Sequence, residues 1–369
     1  MLSVFCSPTR YTQGRNATGS LGEEMARLGL PSPVLIVAGK SAQHLLTETW
    51  RKTLGDSHFV YAVHEFAGEC SHAEIARIIA SARRNGSATI VGAGGGKVLD
   101  AARAAAADLN LPVVNCPTVA SSDAPCSALS VIYTEEGVFQ EYRFYRKNPD
   151  LVLVDTQVIA QGPPRLLAAG MGDALATWFE AKTCAAGHVR NMRGGASTSS
   201  ALALAHLCYK TLIEDGREGL RSVELKVVTP ALERIVEANT LLSGLGFESS
   251  GLAAAHAVHN GLTAAPPTHR YFHGEKVAFG TLVQLVLEGA SRAQFQEVLE
   301  FSTGVGLPVT LAQIGCGQLP REMLERVAAR ATAPGETIHN EPFEVTPAMV
   351  ADAILAADAE GRNSLKPPS

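Results

Sequence analysis

The stretch Thr89-Ile-Val-Gly-Ala-Gly-Gly-Gly-Lys-Val-Leu-Asp100 decides the fold, because a β-branched run, a glycine-rich turn and a helix start follow one another in it. Such a turn directs free backbone N–H groups and the positive end of a helix at one place, which favours an anion. It matches neither standard phosphate motif: Lys97 occupies the third glycine position of GxGxxG, and no Ser or Thr follows Gly96-Lys97 as in a P-loop. The glycines serve either an anion or only the turn itself.

Similar units extend on both sides of this stretch. Short β-branched runs alternate with helix-like segments at Val34–Ala38, Phe59–Val63, Thr89–Val91, Pro112–Cys116 and Leu151–Asp155. This alternation is typical of βαβ units and predicts a mostly parallel sheet. We therefore expect an α/β, Rossmann-like N-terminal domain.

One stretch interrupts the alternation of strands and helices. Leu129–Tyr133 and Glu141–Tyr145 are strand-like and flank the turn signal Glu135-Glu-Gly137. This pattern predicts a β-hairpin beside the main sheet.

The chain changes character after Pro163-Pro164, beyond which almost nothing is strand-like. A length of 369 residues predicts two or three domains. We expect an α/β domain over residues 1–162 and an all-α domain over residues 163–369.

Composition and charge exclude several classes of protein. Thirty-one Lys and Arg stand against thirty-six Asp and Glu, without a dense basic run, so we expect no nucleic-acid partner. No basic segment precedes a long apolar one at the start, and no run reaches about 18 apolar residues, so we expect no membrane association. The seven cysteines never form CxxC, which favours free thiols and a cytoplasmic protein.

Candidate metal ligands stand in the second half of the chain. Asp173 lies early in an apolar helix, where a lone acid is more often a cap or a partner of the helix dipole. His256 and His259 share an alanine-rich helix, His269 follows, and His273 precedes a glycine at a helix start. Three carboxylate or imidazole ligands with one open position form a catalytic zinc site. Asp173, His256 and His273 meet this requirement, while His259 and His269 compete with the chosen pair.

Two motifs in the first half resemble a known family. Gly94-Gly-Gly-Lys-Val-Leu-Asp100 looks like the GGGKxxD loop of the glycerol dehydrogenase branch of the iron-containing alcohol dehydrogenase superfamily. The segment Pro117–Tyr133 resembles that branch more specifically. The resemblance implies a dehydroquinate synthase-like architecture, with a dinucleotide-binding α/β domain over residues 1–162 and a helical metal- and substrate-binding domain over residues 163–369. It also implies a dinucleotide site lined by Gly94, Gly95, Gly96, Lys97, Asp100, Thr118, Ser121, Ser127, Leu129 and Tyr133, with Asp123 facing the substrate.

The same resemblance implies that Asp173, His256 and His273 are the metal ligands and, with Asp123, the catalytic residues. Iron-dependent relatives usually have a further His four residues after the Asp, where this chain has Thr177. One Asp and two His ligands favour zinc over iron.

One position departs from the family pattern. Members that prefer NAD usually have an acidic residue after the first strand, whereas Gly39-Lys40 follows Val34–Ala38 here. A carboxylate repels the 2′-phosphate of NADP, while glycine leaves room and a lysine offers a compensating charge. We expect NAD from the rest of the pattern, and NADP stays open.

The resemblance implies a zinc-dependent dehydrogenase of glycerol metabolism, which oxidises glycerol or a related polyol to a ketone (dihydroxyacetone from glycerol) with NAD, as a homo-oligomer and often an octamer. One alternative is an NADPH-dependent reductase of 2-oxo acids or aldehydes from the same superfamily. Another is a non-catalytic regulatory protein that binds zinc and nucleotide. His259 serves as a proton relay, as support for a ligand, or only as a core histidine.

Overall fold

The computed structural model describes residues 1–366 and divides into two compact units. The first, here called the α/β unit, comprises Cys6–Pro163 and Ser222–Gly244. The second, here called the helical unit, comprises Met1–Phe5, Pro164–Arg221 and the chain from Leu245 onward.

Six parallel strands form the sheet of the α/β unit. In chain order the strands are β1 (Tyr11–Gly14), β2 (Val34–Ala38), β3 (Tyr61–Glu65), β4 (Thr89–Gly94), β5 (Val113–Pro117) and, after a hairpin of β6 (Leu129–Tyr133) and β7 (Phe139–Phe144), β8 (Leu151–Asp155). Across the sheet the order is β1-β8-β5-β4-β2-β3. Every residue of the four central strands is buried, as in a sheet covered on both faces. The predicted mostly parallel sheet is confirmed.

Helices cover both faces of this sheet. They are α1 (Leu21–Arg27), α2 (Lys40–Asp56), α3 (His72–Arg84), α4 (Gly96–Leu109) and the short α5 (Thr156–Ala160). Trp50 of α2 belongs to one apolar core with Ile36, and Ile78 of α3 belongs to the other with Leu35. Leu35 and Ile36 are neighbours in β2, and successive strand residues point to opposite faces. The β-branched runs therefore supply both cores at once.

Strand β1 is absent from the sequence prediction. It lies at the sheet edge, with Tyr11 opposite Val152 of β8. All four of its residues are only half-buried, and it has no apolar run. Its extended form depends on pairing with a strand far away in the sequence.

The predicted hairpin is present as an antiparallel pair. Gly137 in its turn has a φ of 81°, which glycine adopts without strain. The second strand begins at Phe139 rather than Glu141, because the register shifts between Ile132 and Tyr133.

Apart from three short 3₁₀ helices, α-helices and one π-helical turn make up the regular structure of the rest of the described chain. They are α6 (Pro164–Ala186), α7 (Ser199–Glu224), α8 (Pro230–Glu237), a π-helical turn (Ala238–Leu242), α9 (Ser243–Ser250), α10 (Ala254–Leu262), α11 (His273–Leu287), α12 (Arg292–Gly304), α13 (Arg321–Ala331) and α14 (Pro347–Ser364). No strand follows Asp155 within residues 1–366, and the predicted all-α second half is confirmed. None of the described helices has the length and apolar character that crossing a membrane requires.

The predicted domains, 1–162 and 163–369, stay a prediction. Two segments belong to units other than those that this boundary gives them. Met1–Phe5 joins the helical unit, where Val4 N–H donates to the Ala196 carbonyl at 3.1 Å. Ser222–Gly244 joins the α/β unit because Glu233 accepts hydrogen bonds from the side chains of Gln13, at 3.0 Å, and Thr156, at 2.7 Å.

Candidate dinucleotide and metal sites

The glycine-rich turn after β4 leads into a helix that has no side-chain cap. Gly95 is the N-cap residue of α4, and no side chain bonds to the helix start. A Cβ on Gly94 would lie 2.6 Å from Val98, so only glycine lets β4 approach α4 this closely. A Cβ on Gly96 would make ordinary van der Waals contacts with Ser122 Oγ at 3.6 Å and Ala124 Cβ at 3.9 Å, so Gly96 lies against the loop that follows β5. The glycine turn and the uncapped helix start fit a dinucleotide pyrophosphate.

This turn lies at the point where the strand order reverses. Strands β2 and β4 are neighbours in the sheet. The next strand beyond β2 is β3, and the next strand beyond β4 is β5. Open α/β sheets bind ligands outside the carboxyl ends of strands at such a point. Gly39-Lys40 follows β2 at the same edge. A Cβ on Gly39 would meet no atom within 4 Å, while Lys40 Nζ lies 3.6 Å from Glu65 Oε1. There is therefore space beside Gly39 for a 2′-phosphate, but the carboxylate of Glu65 already balances the charge of Lys40.

The structure brings together two predicted cofactor residues, Lys97 and Tyr133. Lys97 Nζ lies 5.9 Å from the centroid of the Tyr133 ring. It also donates to Glu69 Oε2 at 2.6 Å. Glu69 therefore sets the direction of the lysine side chain at the first turn of α4.

Asp100 is buried in α4, and its carboxylate bonds to the hairpin. It accepts hydrogen bonds from Val131 N at 3.0 Å and from Arg103 at 3.1 Å. Arg103 also donates to the carbonyls of Leu129 and Ala124. Burial raises the pKa of Asp100 to about 6, against the opposing charge of Arg103. Asp100 thus anchors the strand that carries Leu129.

The loop between β5 and β6 contains the predicted residues Thr118, Ser121, Asp123 and Ser127. Thr118 N–H donates to the Gly94 carbonyl at 3.0 Å, which joins this loop to the glycine turn. Asp123 Oδ2 accepts a hydrogen bond from Ser243 at 3.0 Å. This hydrogen bond gives the carboxylate of Asp123 a fixed direction. Ser127 is buried and bonds to a carbonyl of the same loop, while Ser121 is half-buried.

In the helical unit, α6 and α11 cross with their backbones in contact. A Cβ on Gly274 would lie 1.8 Å from the Ala169 carbonyl, and one on Gly172 would lie 2.4 Å from the Gly274 carbonyl. Each glycine is next to a predicted ligand, because Asp173 follows Gly172 and His273 precedes Gly274. The crossing therefore brings these two side chains together.

The carboxylate of Asp173 lies against two imidazoles. Its Oδ1 is 3.4 Å from His256 Nε2 and 3.1 Å from His273 Nε2. One donor atom of each residue lies within 4.8 Å of the other two, and Asp173 is 1% exposed. In residues 1–366 this is the one group of three His, Cys, Asp or Glu side chains placed to hold an ion. One carboxylate and two imidazoles suit a divalent metal.

Each imidazole has a second partner. His256 Nδ1 lies 2.6 Å from Glu180 Oε2, and His273 Nδ1 lies 3.0 Å from His259 Nε2. His259, which competes as a ligand in the sequence, therefore supports His273. His269 bonds to a backbone carbonyl at 2.9 Å and is outside the group of three.

The electrostatics of the group follow from burial and mutual contact. Burial opposes ionisation of Asp173, but the charge of His273 and the hydrogen bonds from both rings hold its pKa well below the ordinary value. Burial opposes protonation of His256, but Glu180 and Asp173 hold its pKa well above the ordinary value. Burial and the charges of His273 and Lys276 lower the pKa of His259. A metal bound here would replace a proton on His256.

Side chains from three other segments bond to the N-terminus of α10. Glu180 Oε1 accepts from the N–H groups of residues 253 and 256, Glu341 Oε1 from that of 254, and Gln284 Oε1 from that of 255, at 2.8 to 3.2 Å. A helix start leaves these donors unsatisfied, and Ala253 at the N-cap has no side-chain oxygen to accept them. The start of the helix that carries His256 is therefore held from outside.

Glu341 makes this cap sensitive to pH. Burial and the Glu288 charge raise its pKa to about 8, from an ordinary 4.5. Between these two pH values the Glu341 carboxyl group is ionised in the unfolded chain but still protonated in the folded protein. The free energy of unfolding therefore falls as pH rises. Glu341→Gln has no carboxyl group at this position and therefore lacks this pH dependence. The free energy of unfolding of the variant minus that of the wild type, measured by urea denaturation, should rise by up to about 1.4 kcal/mol per pH unit from pH 5 to 8. A difference that is constant with pH would contradict this.

Sequence reasoning missed three residues of these sites. Glu180 stands seven residues after Asp173, two turns along the same face of α6, and this spacing could have identified it. Glu69 lies 28 residues from Lys97, and Ser243 lies 120 residues from Asp123. No local pattern indicates contacts at such separations.

Comparison with known proteins shows similarity along nearly the whole chain. A family model described as iron-containing alcohol dehydrogenase matches residues 8–156. A glycerol dehydrogenase from Pseudomonas putida is 51% identical over 98% of each chain. A glycolaldehyde reductase from Halobacterium salinarum is 49% identical over 98% of this chain and 99% of its own. The structure of a probable glycerol dehydrogenase from Sinorhizobium meliloti 1021 has a TM-score of 0.92 and 41% identity, covering 98% of this chain and 99% of that one.

Proposed function

Because this chain belongs to the iron-containing alcohol dehydrogenase family, we propose that it oxidises glycerol or a related polyol to the ketone, with NAD as hydride acceptor. The family is metal-dependent and NAD-binding, and the chain is a glycerol dehydrogenase-like oxidoreductase. Glycerol would give dihydroxyacetone. The observation that carries the proposal is the group formed by the buried Asp173, the largely buried His256 and the exposed His273, whose donor atoms face one another.

These three residues fit a metal. Asp173 Oδ1 and the two Nε2 atoms already face one another, and the Nδ1 atoms have other partners. A divalent metal held there supplies a Lewis acid that lowers the pKa of a substrate hydroxyl. We propose zinc, because three oxygen and nitrogen ligands suit it and Thr177 stands where iron-dependent relatives have a further His.

The α/β unit supplies the groups that fit a dinucleotide. The uncapped start of α4 offers N–H donors to a pyrophosphate, and we propose that Lys97, whose charge Glu69 balances, lines the same site. Thr118 N–H holds the adjoining loop against Gly94. We propose that Ser121, Ser127, Leu129 and Tyr133 line the rest of this site, and that Asp100 acts through the hairpin that it anchors. A nicotinamide dinucleotide supplies the hydride acceptor.

Asp123 is the residue that we propose to select polyols. Its carboxylate is held by Ser243 and accepts hydrogen bonds from a second substrate hydroxyl in this proposal. An alcohol that lacks this hydroxyl forgoes that hydrogen bond, so we expect it to react with a lower kcat/KM than a polyol.

A second candidate function is the reduction of aldehydes or 2-oxo acids with NADPH. The open space at Gly39 and the nearby Lys40 favour a 2′-phosphate, and a glycolaldehyde reductase is 49% identical to this chain. The Lys40 contact with Glu65 supports NAD instead, because the carboxylate balances the lysine and would repel a phosphate. We therefore place NAD first.

We also propose a cytoplasmic homo-oligomer, an octamer by family resemblance. All seven cysteines are free thiols, which persist in reducing compartments.

The proposed function is tested by a substrate panel followed at the absorbance band of the reduced nicotinamide. Glycerol, related diols, aldehydes and 2-oxo acids are each run with both cofactors, on zinc-loaded and on chelator-treated protein. We expect the highest kcat/KM for a polyol with NAD, and its loss after chelation. Dinucleotide binding without turnover on any substrate would indicate the non-catalytic alternative.

Asp123→Asn tests the selection of polyols. The variant keeps the shape of the side chain but loses the charge that strengthens hydrogen bonds to hydroxyls. We expect kcat/KM for glycerol to fall about 10- to 100-fold, and that for 2-propanol to change less than about threefold. 2-Propanol is the matched substrate because it has one secondary hydroxyl and no other. Equal losses for both alcohols would remove the role of Asp123.

A further inference from the structure

Glu180 is a fully buried acid on the mostly apolar helix α6. Its exposure is 0%, and it lies two turns beyond Asp173 on α6. Burying a carboxylate is costly unless charged or hydrogen-bonding groups compensate it. The hydrogen-bond partners of Glu180 therefore indicate its structural role.

All the hydrogen bonds found for Glu180 go to His256 and the residues just before it. Oε2 lies 2.6 Å from His256 Nδ1, and Oε1 accepts from His256 N at 3.0 Å and from Ala253 N at 2.8 Å. One carboxylate thus fixes both the imidazole ring and the backbone that carries it.

The contact with the ring decides which nitrogen is available to a metal. An ionised carboxylate only accepts hydrogen bonds, so His256 Nδ1 carries the proton and donates it. The opposite nitrogen, Nε2, lies 3.4 Å from Asp173 Oδ1, and it is the nitrogen that a metal would bind once it has displaced the second proton of the ring. This tautomer is the one that a metal ligand at Nε2 requires.

The charges of the site give Glu180 a second role. Asp173 and Glu180 are 1% and 0% exposed and together carry two negative charges when ionised. A divalent cation with two neutral imidazoles brings the total to zero. Glu341 caps the same helix without contacting the His256 ring, so capping alone does not explain a charged group at position 180.

We propose that Glu180 is a positioning residue of the metal centre, which holds His256 in the Nδ1–H tautomer and completes the charge balance of a divalent ion. The inference rests on the proposed metal site. It makes Glu180 necessary for metal affinity, although it is not a ligand.

Glu180→Gln is the sharpest variant, because it keeps the size of the side chain. Its amide oxygen still caps α10, but its NH₂ group faces Nδ1 and favours the tautomer with the proton on Nε2. We expect zinc affinity, measured by equilibrium dialysis of the full-length chain against a competing chelator, to fall about 10- to 100-fold. The melting temperature of the chelator-treated variant should stay close to that of the equally treated wild type.

Glu341→Gln is the matched control, since it changes the other carboxylate at the same helix start. We expect its zinc affinity to stay within about threefold of the wild type. If Glu341→Gln loses as much affinity as Glu180→Gln, helix capping explains the effect and the inference is wrong. If Glu180→Gln keeps wild-type affinity, the inference is also wrong. If the wild type itself binds no zinc, the proposed function fails first.

A measurement on the wild-type protein covers the case in which Glu180→Gln does not fold. Nitrogen NMR of ¹⁵N-histidine-labelled protein distinguishes the two tautomers of each ring. We expect zinc to shift two rings, both protonated at Nδ1, because the Nδ1 atoms of His256 and His273 both have partners away from Asp173. A zinc-bound ring with its proton on Nε2 would overturn the inference.

Discussion

Asp173→Asn is expected to abolish metal binding and to lower kcat by on the order of a thousandfold or more. Asp173 is the one carboxylate in the group of three, and its Oδ1 contacts both imidazoles. An amide has the same shape but no charge, so the group of three would lose its one carboxylate. Metal content by elemental analysis and kcat with glycerol measure the two losses.

Dinucleotide binding should survive the same change, because the glycine turn belongs to the α/β unit. Titration with NADH, followed by fluorescence, tests this point. Asp352→Asn, an exposed acid on α14, is the matched control and should keep full metal content and activity. An Asp173→Asn enzyme that retains bound metal and more than a tenth of its kcat would refute the assignment of this ligand.

Gly274→Ala is expected to destabilise the helical unit by about 3 kcal/mol or more and to reduce metal content. The new Cβ would lie 1.8 Å from the Ala169 carbonyl and 2.9 Å from Asp173 N. Both are backbone atoms, which cannot rotate away as a flexible side chain does. Helices α6 and α11 must separate, and Asp173 then moves away from His273. Urea denaturation and metal analysis measure the two effects.

Gly55→Ala controls for the general effect of replacing glycine by alanine. Gly55 lies in α2, and its Cβ would meet no atom within 4 Å. This change should stabilise the protein by up to about 1 kcal/mol, because alanine restricts the unfolded chain. If Gly274→Ala is also neutral or stabilising, the backbone crossing does not set the distance between the ligands.

Local pattern predicts the central fold well. The runs Val34–Ala38 and Leu151–Asp155 become strands with the same bounds, because buried parallel strands require continuous β-branched and aliphatic residues. β1 escapes prediction because its four residues have no such run and depend on β8. Ser222–Gly244 looks like any other helical stretch, and only the contacts of Glu233 with Gln13 and Thr156 show which unit it joins.

The sequence predicts the candidate metal site only in part. Residue type and spacing leave His256, His259, His269 and His273 as possible ligands, and only the family resemblance favours His256 and His273. In the structure the choice has a physical basis in the Gly172 and Gly274 crossing, which brings His273 to Asp173. Two glycines at helix positions far apart in the sequence do not indicate by themselves that they will meet.

The cap of α10 has a kinetic consequence. Its three side chains come from segments 73, 87 and 29 residues away from the N–H groups that they hold. Contacts between residues so far apart in sequence form late in folding, because each requires a long loop to close. The helix that carries His256 therefore becomes ordered only when its neighbours have docked.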